Sequence, residues 1–248
     1  MNVTSCWFWL KSVGLFAVLC CMPAFAEGSI TLTAVDDGLI SASGGDFSID
    51  NSVSGLLYFS GVNSRPLVKF DVSSIAANSV ASATLTLYSI NFETPPDPRP
   101  FNPSNIAMTV HRVIAPWTEG QVTWNNSSTG VLWATAGGDF VSSVAGTSTA
   151  NPGFSRTPVT WDVTDLVKDW VNGVHLNHGL LIKSEAGNNM FFNSLENGQA
   201  NPTLLYPTLT ITAVPEPSSS MILGVLGASG VLGTGIRRRL FCNRSAQI

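Results

Sequence analysis

Cysteine is nearly missing from this 248-residue chain, and the four present, Cys6, Cys20, Cys21 and Cys242, all lie toward the ends. The long interval between Cys21 and Cys242 therefore contains no disulfide, no cysteine-based zinc site and no thiol nucleophile. Charge is sparse too, at 11% of residues. Only seven Lys and Arg fall within residues 27–217, too few for a stripe that neutralises a phosphate backbone, so nucleic acid is excluded as a partner. Catalytic signatures are lacking: there is no His-Glu-x-x-His, no Gly-x-Ser-x-Gly and no Gly-rich phosphate loop. The 22 Gly and 14 Pro follow no fixed period and 44% of residues are hydrophobic, which excludes collagen-like and disordered chains.

What is present is unevenly distributed. Residues 1–26 carry Lys11, an apolar run at 13–21 and then Ala24-Phe25-Ala26, the three parts of a secretory signal peptide with small residues at its cleavage site. At the other end, residues 221–236 read MILGVLGASGVLGTGI and are followed at once by Arg237, Arg238 and Arg239. As a helix these sixteen residues reach roughly 24 Å, a little short of a bilayer core of about 30 Å, so flanking residues or local thinning must complete a transmembrane helix. The arginines place its far end in the cytoplasm and residues 27–217 outside.

Immediately before that run stand Pro215, Glu216 and Pro217. A Pro-Glu-Pro motif, an apolar helix and an Arg cluster in this order resemble the PEP-CTERM sorting signal of Gram-negative bacteria that make extracellular polysaccharide. The resemblance implies an inner-membrane-anchored precursor, with the membrane engaged only transiently. It also implies recognition by an exosortase-type membrane protease, and delivery to the cell surface or the extracellular biofilm matrix.

The expected domains are thus a signal peptide at 1–26, an exported domain at 27–214 and a sorting signal at 215–248. Residues 27–217 hold all sixteen acidic residues against seven basic ones, a net charge of −9 where the whole chain shows −4. A domain of 188 residues buries roughly 70% of its unfolded surface and needs no disulfide to fold. Its hydrophobic pattern has period two: residues 30–35, 65–72, 80–90, 106–114, 158–163, 179–183, 189–194 and 203–213 are short runs rich in β-branched and aromatic residues, separated by Gly, Pro, Asn and Ser. One helix is expected over 162–173, where Val163, Leu166, Val167 and Trp170 form an apolar stripe and Gly173 suits its C-terminal turn. Many short strands with one short helix predict an all-β sandwich.

Several segments match a further pattern. Arg65-Pro66-Leu67-Val68-Lys69-Phe70-Asp71-Val72, Ser82-Ala83-Thr84-Leu85-Thr86-Leu87-Tyr88 and Trp117-Thr118-Glu119-Gly120-Gln121-Val122-Thr123-Trp124-Asn125-Asn126 come first. Trp161 to Val167, Asn177 to Ile182 and Phe192 to Glu196 follow in order. Together they resemble the DNRLRE domain and related carbohydrate-binding modules of bacterial surface proteins. The resemblance implies a jelly-roll β-sandwich, non-catalytic, some of whose relatives bind polysaccharide. Leu195 departs from it, standing where a basic residue is usual, and the proline-rich stretch 93–103 reads as an insertion.

Two kinds of chemistry fit the residues. Sugar recognition needs flat apolar faces ringed by amides and carboxylates, and Trp117, Trp124 and Trp133 lie close in sequence to Glu119, Gln121, Asn125 and Asn126. The same tryptophans, Trp117 and Trp124 above all, also read as packing that holds a loop on the sandwich. Calcium needs carboxylate and carbonyl oxygens, which Asp37, Asp46 and Asp50 together with Glu196 can supply, and no other cofactor is expected. Glu93, Glu119, Glu185 and Glu196 are the acids from which a hydrolytic pair would have to come, and His175 and His178 read as solvated loop residues. The function expected is therefore an exported, non-enzymatic surface or matrix protein that binds extracellular polysaccharide. A structural adhesion protein acting through protein contacts, or a polysaccharide-degrading enzyme, are the alternatives.

Overall fold

The structure is a computed structural model and describes residues 28–42, 56–90, 105–150, 157–184, 189–196 and 205–214. In chain order its strands are β1 (Ser29–Thr33), β2 (Asp36–Ser41), β3 (Leu56–Ser60), β4 (Ser64–Lys69), β5 (Val80–Ile90), β6 (Ile106–Arg112) and β7 (Asn126–Ser128). They continue as β8 (Val131–Leu132), β9 (Gly146–Ala150), β10 (Pro158–Asp162), β11 (Leu180–Ser184), β12 (Asn189–Asn193) and β13 (Thr208–Ala213), with the helix α1 (Thr164–Val171) between β10 and β11 and a 3-10 turn at Gly61–Asn63. The signal-peptide segment, the transmembrane segment, Asp46, Asp50 and the stretch 93–103 lie outside the described residues. Among the described residues no helix is long and apolar enough to cross a membrane.

The strands pair antiparallel throughout. The first sheet runs β1-β13-β5-β12-β3, with β10 also on β5; the second runs β2-β4-β11-β6-β9; β7 and β8 form a separate hairpin. Both large sheets feed one core. Leu85 and Leu87 of β5, Trp161 of β10, Phe192 of β12 and Leu209 of β13 pack there with Val68 of β4, Met108 and Val110 of β6 and Ile182 of β11. Trp161 and Phe192 are fully buried and meet edge to face, with ring centroids 6.4 Å apart. Their contact area and ring geometry contribute more than the same volume of aliphatic side chain.

The second sheet is apolar on its other face as well, which explains a departure from strict alternation. Leu180 and Val68 face each other across the β11–β4 ladder and lie in the main core. Leu181 and Leu67, the next pair along, lie in a second core with Ile40, Val113, Trp117, Val122 and Trp133. A strand covered on both sides reads as a continuous apolar run, and Leu180-Leu181-Ile182 is one.

Helix α1 closes the main core by burying Leu166, Val167 and Trp170, so Trp170 packs in the core as its place on the stripe predicts. Its start is tied from two directions. The Asp162 carboxylate accepts the Thr164 N–H at 2.9 Å and its hydroxyl at 2.6 Å, and the same hydroxyl oxygen accepts the Ala83 N–H of β5 at 2.9 Å. At the far end Gly173 adopts φ +72°, a conformation cheap only for glycine, and its N–H bonds to the Trp170 carbonyl at 3.1 Å.

Strands β2, β3, β7, β8 and β9 escape the pattern reading. Strand β9 is Gly-Thr-Ser-Thr-Ala, with no large apolar residue to set a period. Strand β2 opens on two aspartates and a glycine, a sequence that reads as a turn. Gly38 is there for space: a side-chain carbon on it would meet Val122 at 3.1 Å and Trp117 at 3.4 Å.

Candidate functional site

The segment from Val113 to Phe140 crosses the outer face of the second sheet and is held by its own bonds. The Thr123 hydroxyl accepts the N–H groups of Asn126 at 2.9 Å and Asn125 at 3.2 Å, and the Asn125 carbonyl accepts the Trp133 N–H at 2.9 Å. Asp139 accepts the N–H groups of Ala134 and Thr135, both at 2.8 Å. These bonds fold the segment into a cap over the second core.

Trp117 is 7% exposed and Trp133 5% exposed, so neither presents a ring face to solvent. Their indole N–H groups are bonded inward, Trp117 to the His178 carbonyl at 2.7 Å and Trp133 to the Thr123 carbonyl at 3.0 Å. Trp124 is half-buried beneath the Arg65 guanidinium, 4.7 Å from its ring centroid. Arg65 also donates to the Gly137 carbonyl and lies 5.4 Å from the Phe140 ring. Gly137, at φ +91°, allows this approach, because a side-chain carbon there would meet both Arg65 and Trp124. Asn125 is exposed, and the Gln121 side chain accepts the Thr129 N–H at 3.2 Å. The three tryptophans thus sit where packing puts them, joining the cap to the sheet.

The same cap places a carboxylate cluster. Glu119, at its first turn, meets Asp37 of edge strand β2 and Glu196, which follows β12, with one ligand oxygen of each within 4.8 Å of the others. Asp37 is fully buried; its N–H donates to Glu119 Oε1 at 3.2 Å, and its Oδ2 accepts the Leu195 N–H at 2.7 Å. Leu195 itself is buried, so this position carries an apolar side chain packed inward and a backbone N–H that holds Asp37. Glu196 Oε2 is buried without a hydrogen-bond partner among the described residues.

Burial pushes the Glu119 carboxyl up to about 7, the Asp37 N–H it accepts opposes the shift, and the negative charges of Glu196 and Asp36 add to it. Asp36 is paired with Lys69 at 2.9 Å. Near neutral pH Glu119 is therefore close to half-protonated. An all-oxygen donor set suits a hard divalent ion.

The structure thus joins Asp37 with Glu196, two of the expected calcium ligands, and adds Glu119, which the sequence grouped with the tryptophans. Nothing in the spacing gives this away: the three stand 82 and 77 positions apart, brought together by an edge strand, a cap and the residues after β12. His175 lies 3.8 Å from Asp169, and burial followed by the charges of Lys69 and Arg112 lowers the His178 pKa. Both histidines belong to the loop after α1 rather than to the carboxylates.

Comparison with known families gives two matches. A model described as a disaggregatase related repeat domain covers residues 55–211, and one described as a PEP-CTERM protein-sorting motif covers residues 213–239. The first spans the cap, Glu119 and Glu196, while Asp37 precedes it; the second contains Pro215, Glu216, Pro217, Arg237, Arg238 and Arg239. No curated protein matches the chain.

Proposed function

Because the chain belongs to the disaggregatase-related repeat family and carries a PEP-CTERM sorting motif, we propose that it is an exported, non-enzymatic module that binds extracellular polysaccharide. A motif of this kind marks a protein anchored in the membrane before an exosortase processes it. The observation that carries the export part of this reading is that the folded domain runs directly into the signal. Strand β13 ends at Ala213, the Val214 N–H bonds to the Ser79 carbonyl at 2.7 Å, and the sorting match begins at 213. What is sorted to the surface is therefore the sheet domain itself.

The polysaccharide part of the reading is supported by the DNRLRE-like segments, which contribute β4, β5, the cap and α1, the elements that build both cores. The jelly-roll reading of the two sheets belongs to this same proposal. A calcium ion held by Asp37, Glu119 and Glu196 would fix edge strand β2 to the cap, so its role is structural. We expect the full-length chain, purified in detergent, to be retained by polysaccharide extracted from its own host. Absence of retention both with millimolar Ca²⁺ and with chelator overturns the binding reading.

A further inference from the structure

The outer face of the first sheet carries an array that the candidate site does not use. The ladder registers align Thr33 with Thr208, Thr208 with Thr86 and Thr86 with Thr160, across β1, β13, β5 and β10. Two residues along, Thr31, Thr210 and Thr84 align in the same way and end at Asp162. A third rank is Ser29, Thr212 and Ser82. The intervening rank of Leu209, Leu85 and Trp161 is buried in the main core, so the hydroxyl ranks stand on the opposite face. All of them are exposed or half-exposed except Thr86, which is at the margin of burial.

Neighbouring strands lie about 4.8 Å apart and successive ranks about 6.8 Å apart, and within a rank the Thr31 and Thr210 hydroxyls bond each other at 3.3 Å. Farther along β5 the same face changes character. Tyr88 stands opposite Pro158, and Ile90, Phe191 and Tyr58 form the next rank, with the Tyr58 and Phe191 rings 5.5 Å apart. The face thus runs from hydroxyls to half-buried rings along one strand direction.

We propose that this face is the docking surface for one extended chain of a neutral polysaccharide, an inference that rests on the polysaccharide reading above. Each Thr hydroxyl both donates and accepts, as a sugar hydroxyl does, and the rings offer apolar faces to the ring C–H groups of a sugar. The charge distribution selects a neutral occupant. Arg65, Lys69, Arg112 and Lys183 all stand on the second sheet. Asp162 is the single charged residue in the three ranks, and its carboxylate is committed to Thr164. On a domain already strongly acidic, the three ranks hold no cation among the described residues for a polyanion to pair with, and the Lys168 charge that acts on Asp162 comes from α1.

The test uses the full-length chain in detergent, with immobilised cellulose, chitin and mannan as neutral probes and alginate and polygalacturonate as anionic ones. The wild type should bind at least one neutral probe, and Thr31→Lys combined with Thr160→Lys should weaken that binding tenfold or more with the melting temperature kept. If the double variant melts early, the single exposed change Thr160→Lys serves, with a loss of at least threefold expected. Neutral binding unchanged in these variants, or binding to anionic probes alone, overturns this face while leaving the polysaccharide reading standing. No binding to any polysaccharide, the host's own included, overturns both.

Discussion

At the scale of single residues, Glu119 ties acidity to stability. Its carboxyl takes up a proton near pH 7 in the folded domain and near its ordinary value of 4.5 when unfolded. The folded state therefore binds more protons between those values, and stability falls as pH rises from about 4.5 through about 7. The melting temperature should decline between pH 5 and pH 8, and Glu119→Gln should flatten the decline. Calcium acts against the same repulsion: at pH 8, millimolar Ca²⁺ should raise the melting temperature of the wild type and leave Glu196→Gln unmoved. A wild type indifferent to calcium at that pH removes the metal from the account.

Gly137 makes a different demand. A side chain there has to adopt a left-handed backbone and displace Arg65 from Trp124. Gly137→Ala should cost about 2 kcal/mol or more, measured by urea unfolding.

At the scale of elements, the strands that were legible in the sequence are those with an apolar signal of their own, alternating where one face meets water, as in β5, and continuous where both faces are covered, as in β11. Strand β5 alternates Leu85 and Leu87 with Thr84, Thr86 and Tyr88, and its expected limits match the structure. Helix α1 was legible for the corresponding reason at period 3.6, although it begins at Thr164, two residues later than the expected start at 162, because Asp162 still pairs with β5. Strand β9 was not legible, since it sits at a sheet edge and takes its register from β6 instead of from burial of its own side chains. The carboxylate cluster was half legible. Asp37 and Glu196 stood out as acids in regions that suggested oxygen ligands, whereas Glu119 is recruited by tertiary folding of the cap. The tryptophan cluster was legible as chemistry but ambiguous in role, because a residue type that stacks on sugars also fills a core.

Trp161 is the largest of the fully buried side chains among the described residues. It is fully buried in β10 and touches Phe192 across the sheet. Trp161→Ala should cost roughly 3–5 kcal/mol in denaturant unfolding, with a single transition retained if both sheets unfold together.

At the scale of the whole molecule, the sorting segment and the folded domain divide the work. The domain carries the acidic charge and the packed sheets, and the segment at 213–239 supplies the address. Replacing Pro215, Glu216 and Pro217 by alanine should leave the protein in the cell-membrane fraction at full precursor length, whereas the unaltered chain appears shortened at the surface or in the medium. Equal release of both chains would show that the motif is not read.

The pairing of β13 between β1 and β5 has a mechanical consequence. The chain leaves β13 at Val214 and continues directly into the sorting motif, so tension on that end runs lengthwise along a strand bonded on both edges. The inter-strand bonds lie across the strand, and such a pull shears two ladders at once instead of peeling one bond after another. A domain tethered by this end therefore meets the pull with both ladders of β13 together.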